Sequence, residues 1–163
     1  MGLSSDARAL QVIGYLHGNQ QMDPKIFTEK EISHMGDVRD LYQKIIIILS
    51  ISALIVVISG YYLYKSSKKQ FYDSLKYASI ATLSIAIFFA IASLFFNSTF
   101  EVFHKIFFKG DSWLFSPQEI LPVIFPEQFF FDSFATIFIT ILIASMVCLL
   151  FSWYETIKKR KRT

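Results

Sequence analysis

Three apolar stretches, each free of Asp, Glu, Lys, Arg and His, alternate with polar segments along the 163-residue chain. Ile45 to Leu63 is a nearly unbroken run of about 19 residues, enough as a helix to cross a hydrocarbon layer of roughly 30 Å. Tyr77 to Phe96 and Ser133 to Tyr154 repeat the pattern. The expected fold class is an all-α membrane protein with three transmembrane helices, at 44–64, 77–96 and 133–154. They are separated by a polar region 1–43, a link 65–76, a loop 97–132 and a tail 155–163. The short link makes the first two spans an antiparallel hairpin.

The polar segments carry helical patterns of their own. Ser5 or Asp6 is placed to cap a short helix through Ala9, Leu10, Ile13 and Leu16 that ends near Gly18 and Asn19. His17 falls in its last turn, where the helix dipole favours it, so a structural role is expected. Thr28 and Glu31 form a capping box that opens a helix able to run on into the first span. On that helix His34, Val38 and Leu41 share a face. Asp37 lies one turn from His34, close enough to orient its imidazole, or merely to form a surface pair with it. In the long loop, Phe100, Phe103, His104 and Phe107 follow the i, i+3, i+4, i+7 rule. The aromatic face, with Phe108, is expected to lie among acyl chains, while Lys105 and Lys109 reach toward headgroups. After Gly110 come Asp111, Ser112 and Trp113, and then Pro117, Pro122 and Pro126 prevent any long regular element.

Composition narrows the class. At 53% hydrophobic and 17% aromatic residues the chain is too apolar for an ordinary soluble domain. Its net charge of +3 comes mostly from clusters at span ends, which does not suggest a nucleic-acid partner. The single cysteine, Cys148, lies in an apolar run and excludes an internal disulfide or a Cys-rich metal site. Lys65, Lys68 and Lys69, and the run from Lys158 to Arg162, assign the link and the tail to the cytoplasmic side. The region 1–43 and the loop 97–132 are then extracytoplasmic, the loop forming an amphipathic cap. His17, His34 and His104 share that side. A mixed-charge region of about 43 residues with no apolar segment before it points to a missing upstream span, and so to four spans with both termini inside.

The absence of ionisable residues from the spans argues against a proton-coupled transporter or voltage sensor. No GxSxG elbow, HExxH or phosphate-cradling glycine loop occurs, and Ser112 has no visible base to make it a nucleophile. His34, Asp37 and His104 have the donor types of a metal site. Alternatively, His34 and His104 act without metal as general base and general acid, with pKa values near roughly 6.5. A non-enzymatic module that docks a partner protein is the reading from another class, and it would tolerate His→Gln at both positions.

The blocks FTEKEISHMGDV (27–38), FHKIFFKGDSW (103–113) and LPVIFPEQFF (121–130) resemble a family of bacterial integral membrane proteins that includes the lipoprotein intramolecular transacylases. The resemblance implies four spans in the intact family and a site on the extracytoplasmic face of the bacterial cytoplasmic membrane. It implies His34 and His104 as catalytic residues, with Asp37, Asp111 and Trp113 supporting or orienting them. It also implies Phe100, Phe103, Phe107 and Phe108 as lipid-facing, Trp113 as a marker of interface depth, and neither cofactor nor metal. The partners implied are membrane lipids and diacylated lipoproteins. The reaction implied moves the sn-2 acyl chain of diacylglyceryl-cysteine to the α-amine of the same cysteine, giving the lyso-form. The alternatives are the docking module and a metal-dependent lipid hydrolase.

Overall fold

The computed structural model describes residues 4–160, with side chains as far as Lys158; Lys161 and Arg162 of the expected basic tail lie outside the described residues. All regular structure among these residues is helical: α1 (Ser5–Leu16), α2 (Glu29–Ser66), α3 (Lys68–Ala92), α4 (Phe96–Phe107), α5 (Ile120–Ile124) and α6 (Glu127–Arg160), with a single 3₁₀ turn, Ser93–Phe95, between α3 and α4. Three helices within Glu29–Ser66, Lys68–Phe107 and Glu127–Lys158 are long and apolar enough to cross a membrane. The protein is all-α and membrane-spanning, as the apolar runs require.

Local chemistry sets the element ends. The cap of α1 is Ser4, one residue earlier than expected, and its hydroxyl accepts from the Ala7 N–H at 3.3 Å. The Thr28–Glu31 box forms in both directions: the Glu31 N–H donates to Thr28 Oγ1 at 3.2 Å, and the Thr28 N–H donates to Glu31 Oε2 at 2.8 Å. From there α2 runs without a break through the apolar run that starts at Ile45. The expected link at 65–76 is mostly helical, because Ser67 caps α3 through the Gln70 N–H and Lys69 pairs with Asp73 one turn on.

The chain divides into two compact units. The first comprises residues up to Leu49 and Asn97–Asp132. Its core is Val12 from α1, Met22 and Phe27 from the connection, Met35 from α2 and Leu121 from α5. Tyr15, Ile32, Phe115 and Ile124 pack around them. This is an ordinary water-excluding core, built from segments as far apart in sequence as Val12 and Leu121.

The second unit, Ser50–Phe96 and Ser133–Thr163, has another character. Isoleucines, valines and phenylalanines point outward, as side chains facing lipid must. Its inner contacts use small residues and rings. Ser79, Ala86, Ser145 and Ser152 are buried, Phe89 stacks on Phe138 at 5.5 Å, and Ser152 Oγ donates to the Tyr72 carbonyl. Small residues allow close backbone approach where no hydrophobic force drives helices together. Hydroxyls in the apolar runs turn back to carbonyls one turn earlier, Ser84 to Ile80 at 3.0 Å and Thr140 to Thr136 at 2.8 Å.

Candidate active site

Within the first unit, two helical segments each present one buried histidine. His34 sits in the second turn of α2, eleven residues before the apolar run begins, and is 6% exposed. His104 lies in the last turn of α4 and is 9% exposed. Their rings lie nearly parallel, at 25°, with centroids 6.2 Å apart. They do not hydrogen-bond to each other, so both can address a third group. The two expected site histidines, 70 residues apart in sequence, are brought together.

Aromatic side chains enclose the pair. Phe108 touches both rings, at 4.8 Å from His34 and 5.4 Å from His104. Phe115 meets the edge of His34 at 5.3 Å. Phe100 and Trp113 lie 4.1 and 4.9 Å from His104. Phe108 is therefore not lipid-facing as expected. It is 6% exposed, because the chain leaves α4 at that residue and turns its ring back under the histidines. Phe103 and Phe107 remain exposed and Phe100 is half-buried.

The hydrogen bonds fix the state of His104. Its Nδ1 lies 2.7 Å from the Phe100 carbonyl oxygen. A carbonyl only accepts, so the proton is on Nδ1 and the Nε2 lone pair is open. No described residue bonds to Nε2. Burial lowers the His104 pKa, opposed by that bond to Phe100. Burial lowers His34 further, to about 4, helped by the nearby His104; the negative charge of Asp37 opposes the shift. Both rings are therefore neutral at pH 7. The Nδ1 of His34 is buried with no hydrogen-bond partner, an uncommon condition for a polar atom outside a functional site.

The supporting residues divide. Trp113 lies against His104, with its buried indole Nε1 also unpartnered. Asp37 is exposed and makes no hydrogen bond to His34; its influence is through charge alone. Asp111 is exposed and, with Glu101, Lys105, Glu127 and the two rings Phe100 and Trp113 that contact His104, lines a cleft of about 450 Å³. Ser112 Oγ donates weakly to the Lys109 carbonyl at 3.5 Å and meets no base. Among the described residues no three His, Cys, Asp or Glu side chains are grouped to hold a metal ion, so Asp37 does not complete a triad with the histidines.

A family model described as lipoprotein intramolecular transacylase Lit matches residues 6–130, which include both histidines. The chain belongs to the Lit family. An uncharacterized protein of Aquifex aeolicus is 30% identical over 122 residues, covering 72% of this chain and 51% of the relative. The chain thus spans about half the length of that curated relative. Among solved structures, the membrane-integral Lit of Bacillus cereus is similar with a TM-score of 0.82 at 28% identity, covering 97% of this chain and 74% of the other. A histidine-to-arginine variant of that Lit superimposes with a TM-score of 0.75 at 28% identity over 98% of this chain and 72% of the other.

Two features escaped the sequence. Phe115 lies in the proline-broken stretch after Gly110, and no periodic pattern joins it to His34. Glu31 is the capping-box residue that the spacing predicts, but its second carboxylate oxygen also accepts from the Leu121 N–H at 2.8 Å. A partner 90 residues away leaves no local signal.

Proposed function

We propose that this Lit-family protein is an acyltransferase acting within one lipoprotein, with His34 and His104 as its proton-transfer pair. The observation that carries the reading is the stack of two neutral, buried histidines in an aromatic enclosure, one held in a fixed tautomer. The substrate is a lipoprotein whose amino-terminal cysteine bears a diacylglyceryl thioether. The ammonium first releases a proton, which is accessible because its pKa is near ~8. The free amine attacks the sn-2 ester carbonyl; the N–C bond forms and the ester C–O bond breaks. The nitrogen's second proton passes to a base, and the departing glyceryl oxygen takes up a proton. The product is N-acyl, S-monoacylglyceryl cysteine.

His104 suits the base, because Phe100 holds its proton on Nδ1 and leaves Nε2 to accept. His34, whose Nδ1 has no hydrogen-bond partner among the described residues, suits the donor to the glyceryl oxygen, the proton it gives up being replaced by the one that the His104 imidazolium took from the amine. Nucleophile and ester belong to one molecule, so the work of the site is to hold them in a reactive pose. Phe103 and Phe107, exposed on α4, suit contact with acyl chains, and the lysine clusters favour an extracytoplasmic site.

The test is production of lyso-form lipoprotein in a bacterium that otherwise makes only the diacylglyceryl form, read by tandem mass spectrometry of the amino-terminal lipopeptide. N-acyl, S-monoacylglyceryl cysteine is expected from the parent chain and lost in His104→Ala and in His34→Gln. Normal product from both variants would discard the pair. Activity lost to a chelator and restored by zinc would replace proton transfer with metal chemistry.

A further inference from the structure

Side chains that cap helix starts normally sit at the surface and keep their contact with water. Glu31 departs from this. It is fully buried, at 0% exposure, although an unmet carboxylate costs far more to bury than a cap returns. Three donors meet it: the Thr28 N–H at 2.8 Å and Thr28 Oγ1 at 3.1 Å on Oε2, and the Leu121 N–H at 2.8 Å on Oε1. The last of these ties the start of α2 to α5. Lys30 also donates to the Leu114 carbonyl, and Thr28 Oγ1 lies 3.4 Å from Glu119 Oε1, but those contacts are exposed and compete with water. The Glu31 bond alone among them is closed to solvent.

Its place matters because His34 follows three residues later, on the same face of α2. The segment that Glu31 grips also carries Phe115, which packs on His34. It follows directly from α4 with Phe108 and His104. We infer that Glu31 is a positioning residue for His34: its buried bond to Leu121 sets where the His34 ring stands beside His104. The catalytic consequence rests on the transacylase reading above, whereas the geometric one does not.

The experiment uses the full chain with ¹⁵N-labelled histidine in phosphatidylethanolamine–phosphatidylglycerol nanodiscs. It follows the ring resonances of His34 and His17 against pH, together with lyso-form production. Glu31→Gln keeps the shape but cannot accept from Thr28 and Leu121 together. It is expected to admit water to His34 and move its titration upward from about 4, to leave His17 unchanged, and to lower kcat by about tenfold with KM unchanged. Thr28→Ala weakens the helix start but keeps the bond to Leu121, so its His34 titration stays at the parent value and its kcat within about threefold. If Glu31→Gln fails to fold, shown by loss of the parent His17 signals, Glu31→Asp replaces it. Being one methylene shorter, it reaches only one set of donors, and the same outcome is expected. An unmoved His34 titration with parental kcat overturns the inference, as does an equal loss in Thr28→Ala. Normal lyso-form production by His34→Ala and His104→Ala would instead remove the transacylase reading and leave the His34 shift standing.

Discussion

His17 and His104 are held by the same local device in different surroundings. Each ring's Nδ1 donates to the carbonyl one helical turn earlier, His17 to Ile13 at 2.8 Å and His104 to Phe100 at 2.7 Å. Both are thereby fixed in one tautomer. At His17 the remaining nitrogen accepts from the Tyr42 hydroxyl at 3.2 Å, in an exposed setting, and the ring links the end of α1 to α2. At His104 the remaining nitrogen has no protein partner, and the ring is enclosed by Phe100, Phe108 and Trp113 beside a second histidine. The difference teaches that a backbone tether identifies no function. What separates the two sites is whether the second nitrogen is already engaged.

Activity should break the comparison most sharply. His34→Ala and His104→Ala are each expected to lower lyso-form production by roughly 10²–10⁴-fold, the usual worth of a positioned proton-transfer group. His17→Ala is expected to stay within about twofold. Mass spectrometry of one lipoprotein in parallel strains reads all three, and a large loss at His17 would erase the distinction.

Next in size is the aromatic floor. Phe108→Ala opens a cavity beneath both imidazoles and is expected to cost about 3 kcal/mol of stability, read as a lowered thermal midpoint in detergent. The same change should raise the His34 titration by admitting water.

A smaller effect follows from pH. Burial holds the His34 pKa at about 4 in the folded protein against 6.5 ordinarily. As pH falls below 6.5 the unfolded chain takes up that proton first, so stability present above pH 6.5 is lost progressively toward pH 4. Allowing for partial contact with water, the loss is on the order of 2 kcal/mol. His34→Phe should flatten the curve of thermal midpoint against pH.

The smallest effect belongs to the engaged histidine. Tyr42→Phe removes the hydroxyl that His17 accepts and is expected to cost about 1 kcal/mol or less, with lyso-form production unchanged.

These contrasts also show what a linear reading reaches. The three apolar runs and the Thr28–Glu31 box rest on contiguous local patterns, which sequence displays directly. The inward turn of Phe108 depends on where α4 stops, and the one-residue gap between α2 and α3 depends on the Ser67 cap, which stands among lysines in a stretch expected to be a link. Asp37 had the right spacing for His34, yet it faces water. Spacing fixes which side of a helix a residue occupies, and burial of the neighbouring segment decides whether two side chains on that side meet. The Glu31–Leu121 bond and the packing of Phe115 on His34 join stretches about 80 to 90 residues apart in sequence, and nothing in either stretch announces the other.

The Phe100 carbonyl has one last implication, for the route protons take. An imidazole can serve as a wire, taking a proton at one nitrogen and releasing another from the opposite one. With Nδ1 bonded to an oxygen that has no proton to exchange, His104 is a dead end instead: whatever enters at Nε2 must leave by Nε2. On the transacylase reading proposed above, each turnover then needs either two visits to the same nitrogen or a partner that supplies the outgoing proton independently. A solvent-isotope titration of the rate would distinguish one proton in flight from two.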